Sequence, residues 1–329
     1  MRGMWKYIIL LVVGSVAFAA LFAFLGYREF TGKTILEENT VYLLPKGQGV
    51  GKTAFDLADK GIISNGDIFR LGVRLAGRDT SFKAGEYEIA AGSTMQDIME
   101  LLSSGNVIHH KLTIVEGWTS HQIVTYLNSI DNLSGDISAL PAEGSIMPET
   151  YLYTRDEYRN ELISRMQARQ KEFLLDQWSL RDPDLPLNSP EEALVLASIV
   201  EKETSLEEER ARIAGVFLNR LRKKMRLQTD PTVIYGLTKT GDLGRPLSKK
   251  DLRTHTWYNT YVIRGLPPTP IAHPGKASIM AVMHPLPTEE LYFVANGDGG
   301  HSFAVTNEEH NRNVQKLRGL EKERRLNSN

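Results

Sequence analysis

Two carboxylates two residues apart, Glu201 and Glu203, close the run Leu194-Val195-Leu196-Ala197-Ser198-Ile199-Val200-Glu201-Lys202-Glu203-Thr204. A carboxyl held among aliphatic side chains loses the solvation of its charged form. Its pKa rises, and it can then donate a proton near neutral pH. The run reads as a helix. Ser189 suits the N-cap, Pro190 the first position, and Glu191 and Glu192 the positive end of the dipole. At about 100° per residue, Ala193, Leu196, Ile199 and Val200 share one face. Glu203 falls on that face, Glu201 lies at its edge and Lys202 points away. Glu203 is therefore the candidate proton donor and Glu201 the secondary candidate. The competing reading is a helix-end glutamate paired with an arginine, because structural ion pairs outnumber catalytic acids.

Downstream, the chain is dense in groups that suit a sugar. Gln228-Thr229-Asp230-Pro231-Thr232-Val233-Ile234-Tyr235-Gly236 combines amide, carboxylate, hydroxyl and aromatic side chains. Tyr258-Asn259-Thr260-Tyr261 repeats the mixture, and Gly297-Asp298-Gly299-Gly300-His301-Ser302-Phe303 follows. Sugar rings offer apolar faces and many hydroxyls. Gln228, Asp230, Thr232, Tyr235, Tyr258, Asn259, Tyr261 and His301 are the candidate substrate-binding residues. Taken one at a time, each motif favours loop packing, since Asn, Thr, Tyr and Pro also build loops.

Competing chemistries find little support. The 329 residues include no cysteine, so there is no disulfide, thiol nucleophile or thiolate metal site. There is no Gly-x-Ser-x-Gly elbow. The eight histidines are scattered without an H-E-x-x-H pair, and no metal site is expected. Gly47-Gln48-Gly49-Val50-Gly51-Lys52-Thr53 misses the phosphate-loop spacing, because Lys46 stands where the first glycine is needed. A formal net charge of −1 implies no nucleic-acid partner.

The elements that must position these residues follow from patterning. From Tyr7 to Tyr27 no residue is charged, which is long enough to span a bilayer. Arg2 and Lys6 precede the run, so residues 1–6 are expected in the cytoplasm, 7–27 as an inner-membrane anchor, and the bulk of the chain outside. Ala17-Phe18-Ala19 resembles a signal-peptidase site, but the apolar run continues through Leu25. A linker over 28–40 leads to a small α/β module over 41–105. A strand at 84–89, then Gly92-Ser93-Thr94, then a helix resembles the LysM peptidoglycan-binding module. A mixed α+β catalytic domain is expected over 106–329. It holds a strand at 111–116, a capped helix from Thr119, a long helix over 156–178 and the helix of Glu203. Ser205 with Glu208 reads as a capping box for the next helix, and mostly loops and short elements follow Gln228. The fold class is α+β.

Taken together, the motifs are far more specific. Val200-Glu201-Lys202-Glu203-Thr204, Asn219-Arg220-Leu221, Leu227 to Gly236, Tyr258-Asn259-Thr260-Tyr261, Gly265-Leu266-Pro267-Pro268, Leu291-Tyr292-Phe293-Val294, Gly300-His301-Ser302-Phe303 and His310-Asn311 occur in one order. Val115-Glu116-Gly117-Trp118 and Glu143-Gly144-Ser145-Ile146-Met147-Pro148-Glu149-Thr150-Tyr151 precede them. This closely resembles the YceG-like family of endolytic murein transglycosylases over nearly the whole chain. Thr269 departs from the glycine that the family often carries after the double proline. The resemblance implies a membrane-anchored lytic transglycosylase that terminates nascent glycan strands. Glu203 would protonate the bond between MurNAc and GlcNAc and then take the proton of the MurNAc C6 hydroxyl, giving a 1,6-anhydro end without a cofactor. It also suggests association with peptidoglycan synthases. The alternatives are a non-catalytic cell-wall binding protein and a muramidase, for which Asp230 would serve as a second acid.

Overall fold

The computed structural model describes residues 2–32, 34–80 and 82–327. Met1 of the expected cytoplasmic stub, Lys33 of the linker, Ser81 of the small module, and Ser328 and Asn329 lie outside the described residues. The chain is mixed α+β and divides into two compact units, 1–110 with 153–156, and 111–152 with 157–327 of the described chain. Helix α1 (Arg2–Thr31) has 30 residues and a length of about 45 Å at 1.5 Å per residue. Among the described residues it is the one helix long and apolar enough to cross a membrane.

In the first unit, β1 (Thr40–Leu44) pairs antiparallel with β2 (Gly85–Ile89), Thr40 opposite Ile89 and Leu44 opposite Gly85. Between them run α2 (Val50–Asp59) and α3 (Gly66–Leu75), and α4 (Met95–Ser104) follows. Asn65 caps α3 by accepting from the Asp67 and Ile68 amides, while Thr94 and Asp97 close a capping box on α4. Tyr42, Leu57, Phe69, Tyr87, Ile98 and Leu102 form the core. The glycine-rich stretch is a turn in which Gly47 takes φ +79° and Gly49 caps α2, as its spacing predicts.

In the second unit, β3 (His110–Thr113) pairs with β5 (Thr150–Tyr153), and β4 (Leu133–Ser134) lies parallel to β6 (Glu157–Tyr158). Helices α5 (Ser120–Asn128) and α6 (Arg159–Ser179) precede α7 (Pro190–Glu203). Then come α8 (Glu207–Arg222), α9 (Asp230–Thr238) and α10 (Lys276–Met283). The hairpin of β7 (Tyr292–Ala295) and β8 (His301–Ala304) leads into α11 (Asn307–Asn327).

Helix α7 is the hub of this unit, touching α6, α8, α9 and α10. Ser189 caps it through the Glu192 amide, and Pro190 starts it. Every residue from Ala193 to Val200 is buried, as a helix among aliphatic residues is expected to be, and the burial extends beyond the one apolar face to all sides. Its one polar residue there, Ser198, donates to Val195 O at 2.7 Å and accepts from the Ile271 amide at 3.0 Å. Packing of Leu196, Ile199 and Val200 against Ile213, Phe217, Ile279 and Val282 contributes about 1.5–3 kcal/mol per fully buried side chain. That packing fixes the end of α7 to within the rigidity of a core.

Two expectations are corrected. The helix after Glu203 begins at Glu207 and has no side-chain cap. Thr204 rather than Ser205 serves the turn, accepting the Leu206 amide at 3.1 Å. After Gln228, where mostly loops and short elements are expected, α9 is a short helix with Pro231 at its start and an acidic residue in its first turn, but α11 runs for 21 residues.

Candidate active site

Glu203 is the last residue of α7, followed by Thr204 in extended conformation. A helix C-terminus carries partial negative charge and so disfavours a carboxylate there. Protein atoms crowd Glu203 on nearly all sides, yet the residue keeps partial contact with solvent. Burial raises its pKa, the negative charge of Asp230 adds to the rise, and the Thr229 hydroxyl, His301 and Arg220 work against it. The Thr229 hydroxyl donates to Glu203 Oε1, its one hydrogen bond from a side chain among the described residues. Arg220 is itself buried and committed elsewhere, donating from Nε to Leu291 O at 2.6 Å and from Nη1 to Leu227 O at 2.5 Å. It lends positive charge without neutralising the carboxyl in an ion pair.

Beside this carboxyl the structure places Asp230, Tyr261 and His301 among the sequence candidates, and Gln228 precedes its hydroxyl donor Thr229. Gln228 is exposed and adopts a left-handed conformation, φ +49°, with its amide donating to Thr260 O at 3.3 Å. Asp230 is exposed at the start of α9 and accepts from the Tyr261 hydroxyl at 2.7 Å. Burial and the neighbouring Asp230 push the Tyr261 hydroxyl pKa up, so it remains a donor. Tyr235 and Tyr258 meet edge to face at 4.9 Å, Lys239 lies over the Tyr258 ring at 3.4 Å, and the Tyr258 hydroxyl shares a hydrogen bond with Thr269 at 2.8 Å. Thr269, where the resemblance is imperfect, thus anchors Tyr258, whose neighbour Tyr235 is buried and faces Glu143.

Two candidates are placed differently. Asn259 is fully buried. Its Nδ2 donates to the carbonyls of Thr254 at 2.7 Å and Leu252 at 3.2 Å, and its Oδ1 accepts the Tyr261 amide at 3.0 Å. Thr232 is also fully buried, donating to Thr229 O at 2.7 Å and meeting Thr260 Oγ1 at 2.8 Å. With every polar atom satisfied internally, both residues hold the loop that presents Tyr258 and Tyr261. The expectation that they line a cleft is corrected accordingly.

Glu201 occupies a different environment. Its Oε2 accepts the Gly275 amide at 2.9 Å and the Ser278 hydroxyl at 2.8 Å, at the start of α10. Arg210 approaches Oε1 at 4.0 Å. Gly275 has no room for a side chain, because a Cβ there would lie 1.9 Å from Glu116 Oε1. Burial raises the Glu116 pKa, and the neighbouring Glu201 adds to that rise. Glu201 therefore caps a helix and pairs with Arg210.

A third carboxyl escapes sequence reasoning. Both oxygens of Glu143 accept the Ser120 amide at 3.1 Å, at the N-terminus of α5. Burial nevertheless raises its pKa to about 7. Ser120 Oγ meets His273 Nε2 at 2.9 Å, and the Ile146 amide donates to His273 Nδ1 at 3.0 Å. Nδ1 accepts, so the ring proton sits on Nε2, and burial keeps the imidazole neutral with its pKa lowered to about 3. Ser120 and His273 are fully buried, which leaves no access for a nucleophilic serine. Thr229, Arg220 and Glu209, which grips His301, were also missed as site residues. Membership in a motif was the one signal, for Thr229 within Gln228–Pro231 and for Arg220 within Asn219-Arg220-Leu221, and Glu209 lies in neither.

Comparison with known proteins adds lineage to this geometry. The model of the YceG-like family matches residues 42–316. The chain is 30% identical to the endolytic murein transglycosylase of Bacillus subtilis strain 168, over 89% of this chain and 90% of that one. It is 28% identical to the protein of that name from Streptococcus pneumoniae D39, over 82% of this chain but 57% of the longer relative. A crystal structure of a YceG-like protein from Listeria monocytogenes is similar at 31% identity with a TM-score of 0.51, covering 84% of this chain and 99% of that one.

Proposed function

This chain belongs to the YceG-like family, and from that premise we propose that it is an endolytic murein transglycosylase, a lyase, with Glu203 as its acid–base carboxyl. The observation that carries the residue assignment is the environment of Glu203. It is crowded by protein, shifted towards its protonated form, and bonded to one hydroxyl rather than to a cation. Protonated Glu203 gives its proton to the oxygen between MurNAc and GlcNAc, and the C1–O bond breaks. The C6 hydroxyl of the same MurNAc attacks C1, and its proton passes to the Glu203 carboxylate. This closes the 1,6-anhydro ring and restores the acid. The attack is intramolecular, so most of its entropic cost is already met.

Gln228, Asp230, Tyr235, Tyr258, Tyr261 and His301 are the side chains proposed to meet the glycan. Helix α1 anchors the chain in the inner membrane with its first residues in the cytoplasm, which puts the second unit within reach of the wall. The strand–helix–helix–strand order of the first unit supports a LysM-like peptidoglycan-binding role for 41–105. Residues 106–329 form the catalytic domain, and wall synthases are the proposed protein partners.

The test uses the full chain in detergent, purified glycan strands and mass spectrometry of the products. Wild-type enzyme should yield 1,6-anhydro ends, and Glu203→Gln should keep the fold and release nothing. Reducing ends bearing added water, without anhydro ends, would favour a muramidase. Strand binding with no fragments from wild-type protein would favour a binding module. Because the protonated carboxyl is the working form, kcat/KM should fall as pH rises through the raised pKa of Glu203.

A further inference from the structure

Glu209, in the first turn of α8, makes three hydrogen bonds that converge on the surroundings of Glu203. Its Oε1 accepts the His301 amide at 2.7 Å, and its Oε2 meets His301 Nδ1 at 2.6 Å. The Thr204 hydroxyl, on the residue after Glu203, donates to Oε2 at 3.3 Å. Burial would raise the Glu209 pKa, but the bonds from the His301 ring and amide outweigh it and hold the carboxyl below its usual range. Glu209 is thus an acceptor, and the proton of the shared bond belongs to His301 Nδ1. Nε2 makes no hydrogen bond to another described residue, and the side chain keeps 15% of its surface exposed. Phe293 meets the ring edge to face at 5.3 Å and limits its tilt. Gly300 is required for this grip, because a Cβ there would lie 2.8 Å from Glu209 Oε1.

We propose that Glu209 is a positioning residue for the reaction. It fixes the His301 imidazole, with Nε2 presented to the sugar that straddles Glu203. His301 hydrogen-bonds that sugar and stabilises Glu203 in its deprotonated interval between the two proton transfers. The inference rests on the assignment of Glu203 and adds to it a carboxylate–imidazole pair that no sequence motif marks. The groups facing Glu203 are Thr229 and Asp230 from α9 and its approach, Arg220 from α8, Tyr261 from the loop after it, and His301 from β8. Tyr261 is held by Asp230, which itself faces Glu203, whereas His301 is held by Glu209, a carboxylate outside that group.

The experiment is a double-mutant cycle on the full chain, with kcat, KM and pH profiles for His301→Gln, Glu209→Gln and the double variant. Glutamine at 209 offers one acceptor where two N–H groups need one each. Each single variant should therefore lose about 100-fold in kcat with KM changed only a few fold. The double variant should lose no more than His301→Gln alone, because the two residues act as one unit. The alkaline limb of kcat/KM should move to higher pH in His301→Gln, since a group favouring the carboxylate form of Glu203 is gone. Additive losses, an unmoved limb, or wild-type kcat in Glu209→Gln overturns the proposal. If Glu209→Gln fails to fold, the pH limb of His301→Gln decides alone. Glu203→Gln is assayed in parallel. Full activity there removes the assignment of Glu203 itself, whereas its silence together with an additive cycle removes only the positioning role.

Discussion

The two carboxyls that end α7 stand two residues apart and live in opposite surroundings. Glu201 receives a backbone amide, a hydroxyl and a nearby guanidinium, and it caps α10. Glu203 receives one hydroxyl, and Arg220 beside it is engaged by backbone carbonyls. Both are enclosed by protein. Enclosure alone does not mark a catalytic acid; the number of donors that hold the charged form does. A satisfied carboxylate stabilises the fold, and one with few donors is shifted towards its protonated form and can give that proton away.

The sharpest way to break this comparison is to exchange the two residues' fates. Glu203→Gln should lower kcat by about 1,000-fold or more while thermal unfolding stays near wild type, because the amide keeps the volume and cannot transfer a proton. Glu201→Gln should do the reverse. It leaves Arg210 short of a partner and α10 with a weaker cap, costing about 2–4 kcal/mol of stability, while kcat per folded molecule stays within a few fold. Denaturant midpoints and kcat measured on the same samples decide it. Loss of kcat at full stability in Glu201→Gln would hand the catalytic role to Glu201.

Glu143 extends the comparison to a buried carboxyl that meets the Tyr235 hydroxyl and is shifted towards its protonated form. Its folded pKa of about 7 lies above the ordinary value of 4.5, so folding favours its protonated form. The stability it contributes is complete below pH 4.5 and is lost as pH rises to about 7. His273 has the opposite sign. Its folded pKa of about 3 lies below 6.5, so its contribution is complete above pH 6.5 and is lost as pH falls towards 3. Between pH 4.5 and 6.5 the two slopes oppose each other. Glu143→Gln removes one of them, so the stability of the variant relative to wild type should climb by about 1.4 kcal/mol per pH unit, up to about 3 kcal/mol in all. A pH-independent difference in denaturant midpoints would show that Glu143 is ionised throughout.

The contrast also explains what could be read from the sequence. The start of α7 was legible because caps and prolines act locally, and Ser189 and Pro190 do what their types suggest. The burial of α7 was legible from the aliphatic run, but not which elements enclose it, since α6, α8, α9 and α10 arrive from distant segments. Asn259 and Thr232 have the right chemistry for sugar but are buried, and residue type does not disclose burial. Glu209 stands between Glu208 and Arg210, in a first turn that also holds Glu207, and nothing local marks which carboxylate meets a histidine 92 residues away. Helix α11 was unforeseen because its 21 mostly polar residues give little apolar periodicity.

The smallest expected effect probes the single donor on which the comparison turns. Thr229 is buried, and its hydroxyl is the bond that partly offsets the burial of Glu203. Thr229→Val keeps the shape, and the Thr229 amide can still donate to Thr260 Oγ1. Losing a hydrogen bond to the charged form should raise the Glu203 pKa further. The alkaline limb of kcat/KM should then move to higher pH, while kcat at low pH falls only a few fold because a less acidic carboxyl is a slower donor. Thr229→Ser retains the hydroxyl and should leave the limb in place. A limb that stays put in Thr229→Val would mean that the hydroxyl does not tune Glu203, and that what separates it from Glu201 is the missing cation alone.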